Sequence, residues 1–151
     1  MVLRVGNSRK ILGNAGEEAI VQRLIARGYT ILARNYRRFY GEIDIIAQKD
    51  ACVRFIEVKT RINSKIAPTC LITPSKQRKV SLTARAFITE HRLTSHTLQF
   101  DVALVTFLEE SSVHSRTQAQ SQGQVLSQKL PQLLTPSLTM EYIENAFFCY
   151  E

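Results

Sequence analysis

Three residues of the stretch 41–61, GEIDIIAQKDACVRFIEVKTR, have types and spacing suited to chemistry: Asp44, Glu57 and Lys59. Asp44 interrupts an apolar run of Ile43, Ile45, Ile46 and Ala47. Strand side chains alternate between faces, so Glu57 and Lys59 continue the face begun by Val53 and Phe55. A carboxylate and an ammonium on such a face are costly unless they are paired, hydrated or metal-bound. Neighbouring strands lie about 4.8 Å apart, so Asp44 and Glu57 in matching register could share one divalent cation. Oxygen donors without a nearby His or Cys select Mg²⁺ or Mn²⁺ over Zn²⁺. Lys59 could hydrogen-bond an attacking water or neutralise a phosphate. Together these are the parts required for phosphodiester hydrolysis. The competing reading is a surface network in which Glu42, Asp44, Glu57 and Lys59 pair across a hairpin, each pair contributing roughly 0–1 kcal/mol.

The elements that must position these residues are legible in order. Asn14 is a good N-cap, with Glu17 and Glu18 in the first turn, where the helix dipole favours them. Ile20 and Leu24, with Val21 and Ile25, form the apolar stripe of this helix, and Gly28 is its C-cap. A strand is expected over Tyr29–Tyr36, then a basic, aromatic turn, Arg37-Arg38-Phe39-Tyr40. Two further strands meet at Lys49-Asp50, favouring antiparallel hairpins. After a loop containing Pro68, Thr73 caps a second helix with Pro74 at its first position. Val80, Ala84, Phe87 and Ile88 make the inner stripe, and Leu98–Phe107 reads as a fourth strand. The order is α-β-β-β-α-β, an α/β fold. Residues 1–12 read as a basic arm, 13–108 as the core, and 109–137 as a flexible Ser- and Gln-rich insertion. Residues 138–151 supply a last strand completing the same single domain.

The 151 residues carry a net charge of +7, unevenly placed. Residues 1–92 hold 18 Lys and Arg against 7 Asp and Glu, whereas residues 93–151 hold 2 against 6. The basic part is the part containing the unusual strand pair, and a cationic domain favours polyanionic partners, nucleic acid first. Arg37, Arg38 and Arg61 are candidate contacts, and the mixing of arginine with aromatics at 36–40 suits nucleic-acid surfaces, though turn residues packing on a sheet edge explain it equally well. Cys52, Cys70 and Cys149 form no CxxC pair, which argues against a disulfide framework or zinc site and fits a reducing cytoplasm. His91, His96 and His114 lack ligand spacing. The N-terminal sequence does not read as a signal peptide, and no stretch approaches the roughly 20 apolar residues of a membrane span. A cytoplasmic protein without membrane contact is expected.

The Asp…Glu-x-Lys pattern within this order resembles the PD-(D/E)-x-K, or restriction-endonuclease-like, superfamily. Gly13-x-x-Gly16-Glu17, Arg34-Asn35-Tyr36-Arg37, Gly41-Glu42-Ile43-Asp44, Phe55-Ile56-Glu57-Val58-Lys59-Thr60-Arg61, Lys76-Gln77-Arg78, Phe100-Asp101-Val102 and Asn145-Ala146-Phe147 are similar to the bacterial YraN family. The resemblance implies a restriction-endonuclease-like core with a mixed central sheet flanked by two helices. It implies Asp44 and Glu57 as metal ligands, the Val58 carbonyl as a third, and Glu17 supporting the ion from the first helix. Lys59 would be the catalytic lysine, and Lys76 and Gln77 would contact substrate phosphate or orient the water. Asp101 matches a family position, and capping or pairing with a basic residue is its expected role. The chain departs from the family pattern at Lys65-Ile66, Cys70-Leu71, Gln99 and Ile20.

The leading expectation is therefore a Mg²⁺- or Mn²⁺-dependent nuclease-like hydrolase acting on DNA more than RNA, with branched or damaged DNA as substrate. The alternatives are a nucleic-acid-binding module that no longer cuts, and an adaptor engaging a protein partner through 109–137.

Overall fold

The computed structural model describes residues 5–62, 72–108 and 137–148. Helix α1 spans Val5–Ala26 and is followed by three strands, β1 (Thr30–Arg38), β2 (Gly41–Lys49) and β3 (Cys52–Ile62). Helix α2 (Pro74–Glu90) leads to β4 (Thr97–Leu108) and β5 (Ser137–Phe147). The five strands form one sheet in the order β1-β2-β3-β4-β5. All neighbours are antiparallel except β3 and β4, which run parallel because α2 carries the chain back across the sheet between them. The fold is α/β with a mixed sheet and a helix on each face, as expected.

Two apolar layers sandwich the sheet. Val80, Ala84, Phe87 and Ile88 of α2 pack on Ile46, Val53, Phe55 and Phe100. On the other face Ile20, Val21 and Leu24 of α1 pack on Ile45, Ala47, Ile56, Ala103 and Val105. Covered on both sides, the central strands read as nearly continuous apolar runs. The helix ends follow their local chemistry. Thr73 Oγ1 accepts a hydrogen bond from the Lys76 N–H at 3.3 Å. Gly28, with φ 82, closes α1: its N–H reaches the Ile25 carbonyl and the Tyr29 N–H reaches that of Leu24.

Two glycines set how closely the helices approach the sheet. A Cβ on Gly16 would lie 2.0 Å from Thr60 Oγ1, and one on Gly41 would lie 2.7 Å from Thr83 Oγ1 and 2.9 Å from the Lys79 carbonyl oxygen. Gly16 thus seats α1 on β3, and Gly41 seats the first half of α2 on β2.

The expected arm over 1–12 is corrected: α1 begins at Val5, nine residues before the expected cap at Asn14. Ile11 is 66% exposed, so it adds no packed position to the apolar stripe by which a helix is recognised. The last strand forms the sheet edge against β4. Residues 109–136 and the loop around Pro68 lie outside the described residues. Among the described residues, no helix is long and apolar enough to cross a membrane.

Asp101 is fully buried and ties three strands together. Its Oδ2 accepts from Arg54 Nη1 of β3 and from the Tyr142 hydroxyl of β5, both at 2.9 Å. Its Oδ1 accepts from the Asn145 N–H at 2.9 Å. Asn145 has φ 50 and lies where the β4–β5 register shifts, so the carboxylate satisfies backbone that the irregularity leaves unpaired. The expected pairing of Asp101 with a basic residue is what is found.

Candidate metal and nucleic-acid site

The β2–β3 ladder runs from Lys49↔Cys52 to Ile45↔Ile56 and stops. Asp44 and Glu57 are the next residues in register, at the fork where the two strands part. Beyond it β2 remains paired to β1 as far as Gly41, and β3 remains paired to β4 as far as Ile62. Side chains from both helices reach this opening.

Alternation along β2 breaks at Asp44. Ile43 packs in the α2 layer and Ile45 in the α1 layer, although they are two residues apart. Opposite, Asn35 of β1 adopts φ 48, between Arg34↔Ile45 and Tyr36↔Ile43. Asn tolerates this left-handed conformation, and it turns Arg34 toward Glu18 of α1 and Tyr36 toward Phe87 of α2. Asp44 therefore sits at a twist in the sheet, and its Oδ2 accepts the Val58 N–H across the fork at 2.7 Å.

Glu57 is 4% exposed. Its Oε1 accepts from Lys59 Nζ at 2.6 Å, confirming that the two share a face. Lys76 Nζ of α2 lies 3.1 Å from Oε2, close enough for an ion pair but without hydrogen-bond alignment, so this buried oxygen has no hydrogen-bond donor. Burial, then the charge of Glu57, push Asp44 up to about 7, against the stabilising Val58 N–H and Lys76. The charge of Glu17 acts in the same raising direction. Glu17 itself is held by Asn35 Nδ2 at 3.2 Å.

These groups suit a hard cation held mainly by water. Two carboxylates meet in register, and one buried oxygen lacks a donor. Among the described residues no three or more His, Cys, Asp and Glu side chains cluster closely enough to cage a metal by themselves. Mg²⁺ is commonly bound by one or two carboxylates while keeping several waters.

The candidate nucleic-acid residues divide between two clefts. Arg37, Arg38 and Lys76 come together in a groove of about 450 Å³ between the β1–β2 turn and α2, joined by Lys79. Arg37 is paired with Glu42, while Arg38 is paired with Glu90 and stacked on Tyr36. Arg61 lies apart, lining a cleft of about 510 Å³ with Arg9, Glu17, Val58 and Thr60 between α1 and β3. Gln77 lines neither cleft and donates to the Ile72 carbonyl at 3.2 Å. Glu42 is engaged by Arg37 at 2.9 Å. Lys79, absent from the candidate contacts, stands one helical turn after Lys76, a spacing that could have identified it.

A mixed sheet of this order, with a helix on each face and Asp…Glu-x-Lys on two central strands, has the arrangement of a restriction-endonuclease-like core. The chain belongs to the uncharacterised protein family UPF0102, whose model matches residues 16–105 and so includes both carboxylates and both lysines of the site. A UPF0102 protein of Trichlorobacter lovleyi is 38% identical over 103 residues, covering 67% of this chain and 81% of the relative. A relative from Prosthecochloris aestuarii is 42% identical over 95 residues, or 62% and 75% of the two chains. One from Alkaliphilus metalliredigens is 38% identical over 106 residues, or 70% and 93%.

Proposed function

We propose that this protein is a Mg²⁺- or Mn²⁺-dependent nuclease-like hydrolase of DNA phosphodiester bonds, acting on branched or damaged DNA. The observation that carries this reading is the in-register meeting of Asp44 and Glu57 at the strand fork, with Lys59 2.6 Å from the Glu57 carboxylate. Asp44 and Glu57 would hold the ion, with the Val58 carbonyl contributing and Glu17 supporting it. An ion held there would supply positive charge to polarise a phosphoryl oxygen and to lower the pKa of a bound water.

The chain's own groups divide the remaining work. Lys59, one third exposed, exchanges its contact with Glu57 for a hydrogen bond to the attacking water or a phosphate oxygen. Lys76, held at the same carboxylate, offsets charge on the phosphate as it enters. The Val58 N–H fixes the Asp44 carboxylate across the fork, so one donor atom is oriented before substrate arrives. The groove bearing Arg37, Arg38 and Lys79 tracks the backbone.

Nicking of branched and duplex DNA with Mn²⁺ or Mg²⁺ tests the proposal. Glu57→Gln and Lys59→Ala are expected to abolish cutting while DNA binding persists. Equal residual activity in the wild type and both variants would refute hydrolysis by this chain.

One observation favours a second reading, a DNA-binding module that does not cut. Lys59 and Lys76 already balance Glu57 without an ion. Calorimetric titration showing no Mg²⁺ or Mn²⁺ affinity, alongside salt-sensitive DNA binding, would select it.

A further inference from the structure

Phe39, at the tip of the β1–β2 hairpin, is 98% exposed. It stands edge-on to Tyr40, with ring centroids 4.5 Å apart and an interplanar angle of 75°. Nearly all of the Phe39 side chain is open to solvent, and it contributes little to the core. A lone exposed aromatic is ordinary. This one rises from the groove that carries Arg37, Arg38, Lys76 and Lys79. Lys76 pairs with the buried Glu57, whereas Arg37 and Arg38 sit in pairs with Glu42 and Glu90 that are about a third exposed or more on both sides. Such exposed pairs are weak and readily exchanged for phosphate. The groove also leads inward, because Lys76 lies 3.1 Å from Glu57.

We propose that Phe39 is a base-stacking platform for an unpaired nucleotide, and that the groove beneath it leads that strand's phosphates to the carboxylate fork. This rests on the nucleic-acid reading above and specifies the substrate class: a polynucleotide with a single-stranded segment. Aromatic faces stack on any base, so recognition is of the unpaired state and not of sequence. A base inside a blunt duplex has its faces occupied by neighbours and gains nothing from Phe39. A protein partner would also accept an exposed aromatic. Among the described residues lining the groove, four cations stand against one carboxylate, Glu42; Glu90 and Glu57 pair with Arg38 and Lys76 from outside it, and the cationic balance that remains favours a polyanion.

Fluorescence anisotropy in EDTA, where hydrolysis cannot contribute, tests this with the full chain. The probes are labelled oligothymidylate, its RNA counterpart, a blunt duplex, and the same duplex with a single-stranded flap. Phe39→Ala is expected to weaken binding to flap and single-stranded probes about tenfold, the value of one stacked base. Binding to the blunt duplex should be unchanged, and Phe39→Trp should retain wild-type affinity. Lys79→Gln should weaken all probes and flatten the salt dependence. The proposal is overturned if Phe39→Ala binds the flap probe as the wild type does, or weakens the blunt duplex equally. It is also overturned if the wild type binds no single-stranded probe, or if Phe39→Ala abolishes only self-association measured by sedimentation. Phe39-dependent binding without any cleavage would uphold this proposal and refute hydrolysis. Cleavage with Phe39-independent binding would do the reverse.

Discussion

The backbone N–H of Val58 donates to Asp44 Oδ2 at 2.7 Å, one step past the last paired residues of their two strands, Ile45 and Ile56. A side chain here replaces the ladder hydrogen bond that the separating backbones no longer make. Asp44 is therefore both a structural strut and a charge held close to another carboxylate. Those two roles oppose each other.

That opposition is measurable in the metal-free protein. Burial and Glu57 raise Asp44 to about 7, above an ordinary value of 3.8. The folded state consequently binds more protons than the unfolded chain between these values, and stability falls as pH rises through that window. Asp44→Asn keeps an acceptor for Val58 and removes the charge. It is expected to raise the unfolding free energy from urea titration at pH 8 by on the order of 2 kcal/mol, and to change it little near pH 4. A gain independent of pH would show that charge is not the cause.

Mg²⁺ should oppose the same repulsion. Adding it at pH 8 is expected to raise the melting temperature of the wild type by mass action. Glu57→Gln should abolish that rise, and so should lowering the pH to about 5, where Asp44 is protonated. Equal Mg²⁺-dependent shifts in wild type and Glu57→Gln would place the ion elsewhere.

The seat of α1 is testable by a double-mutant cycle. Gly16→Ala would bring its methyl against Thr60 and should cost roughly 1–3 kcal/mol in chemical denaturation. Thr60→Ala removes the colliding hydroxyl and should recover part of that loss when combined with it. Strict additivity of the two changes would contradict the contact.

Asp101→Asn is expected to destabilise the fold by about 3–5 kcal/mol, because Arg54 would be left without its buried partner. If Asp101 is structural alone, the variant's Mg²⁺-dependent melting shift should persist at temperatures where it remains folded. Loss of that shift in folded protein would assign Asp101 to the ion site.

The element order was legible because apolar periodicity and strong punctuation agree: Gly28 ends one helix, Thr73-Pro74 opens the other, and Ile43–Ala47 and Val53–Ile56 read as buried strands. The early start of α1 was hidden because Ile11, ahead of the expected cap, faces solvent and adds no packed position to a period. Glu57 and Lys59 were placed on one face by alternation, and Lys59 reaches that carboxylate. Alternation could not place Asp44, because its setting depends on the left-handed backbone of Asn35 on another strand. The separation of Arg61 from Arg37 and Arg38 is likewise tertiary: the two clefts are bounded by different helices.

β3 stays paired to β4 from Cys52 to Ile62, whereas Asp44 belongs to the hairpin that ends in Phe39. The two carboxylates thus ride on different levers, one braced by a long parallel ladder and the other continuous with the outermost pair of strands. The spacing of the two carboxylates therefore depends on how the first hairpin sits against the central parallel pair.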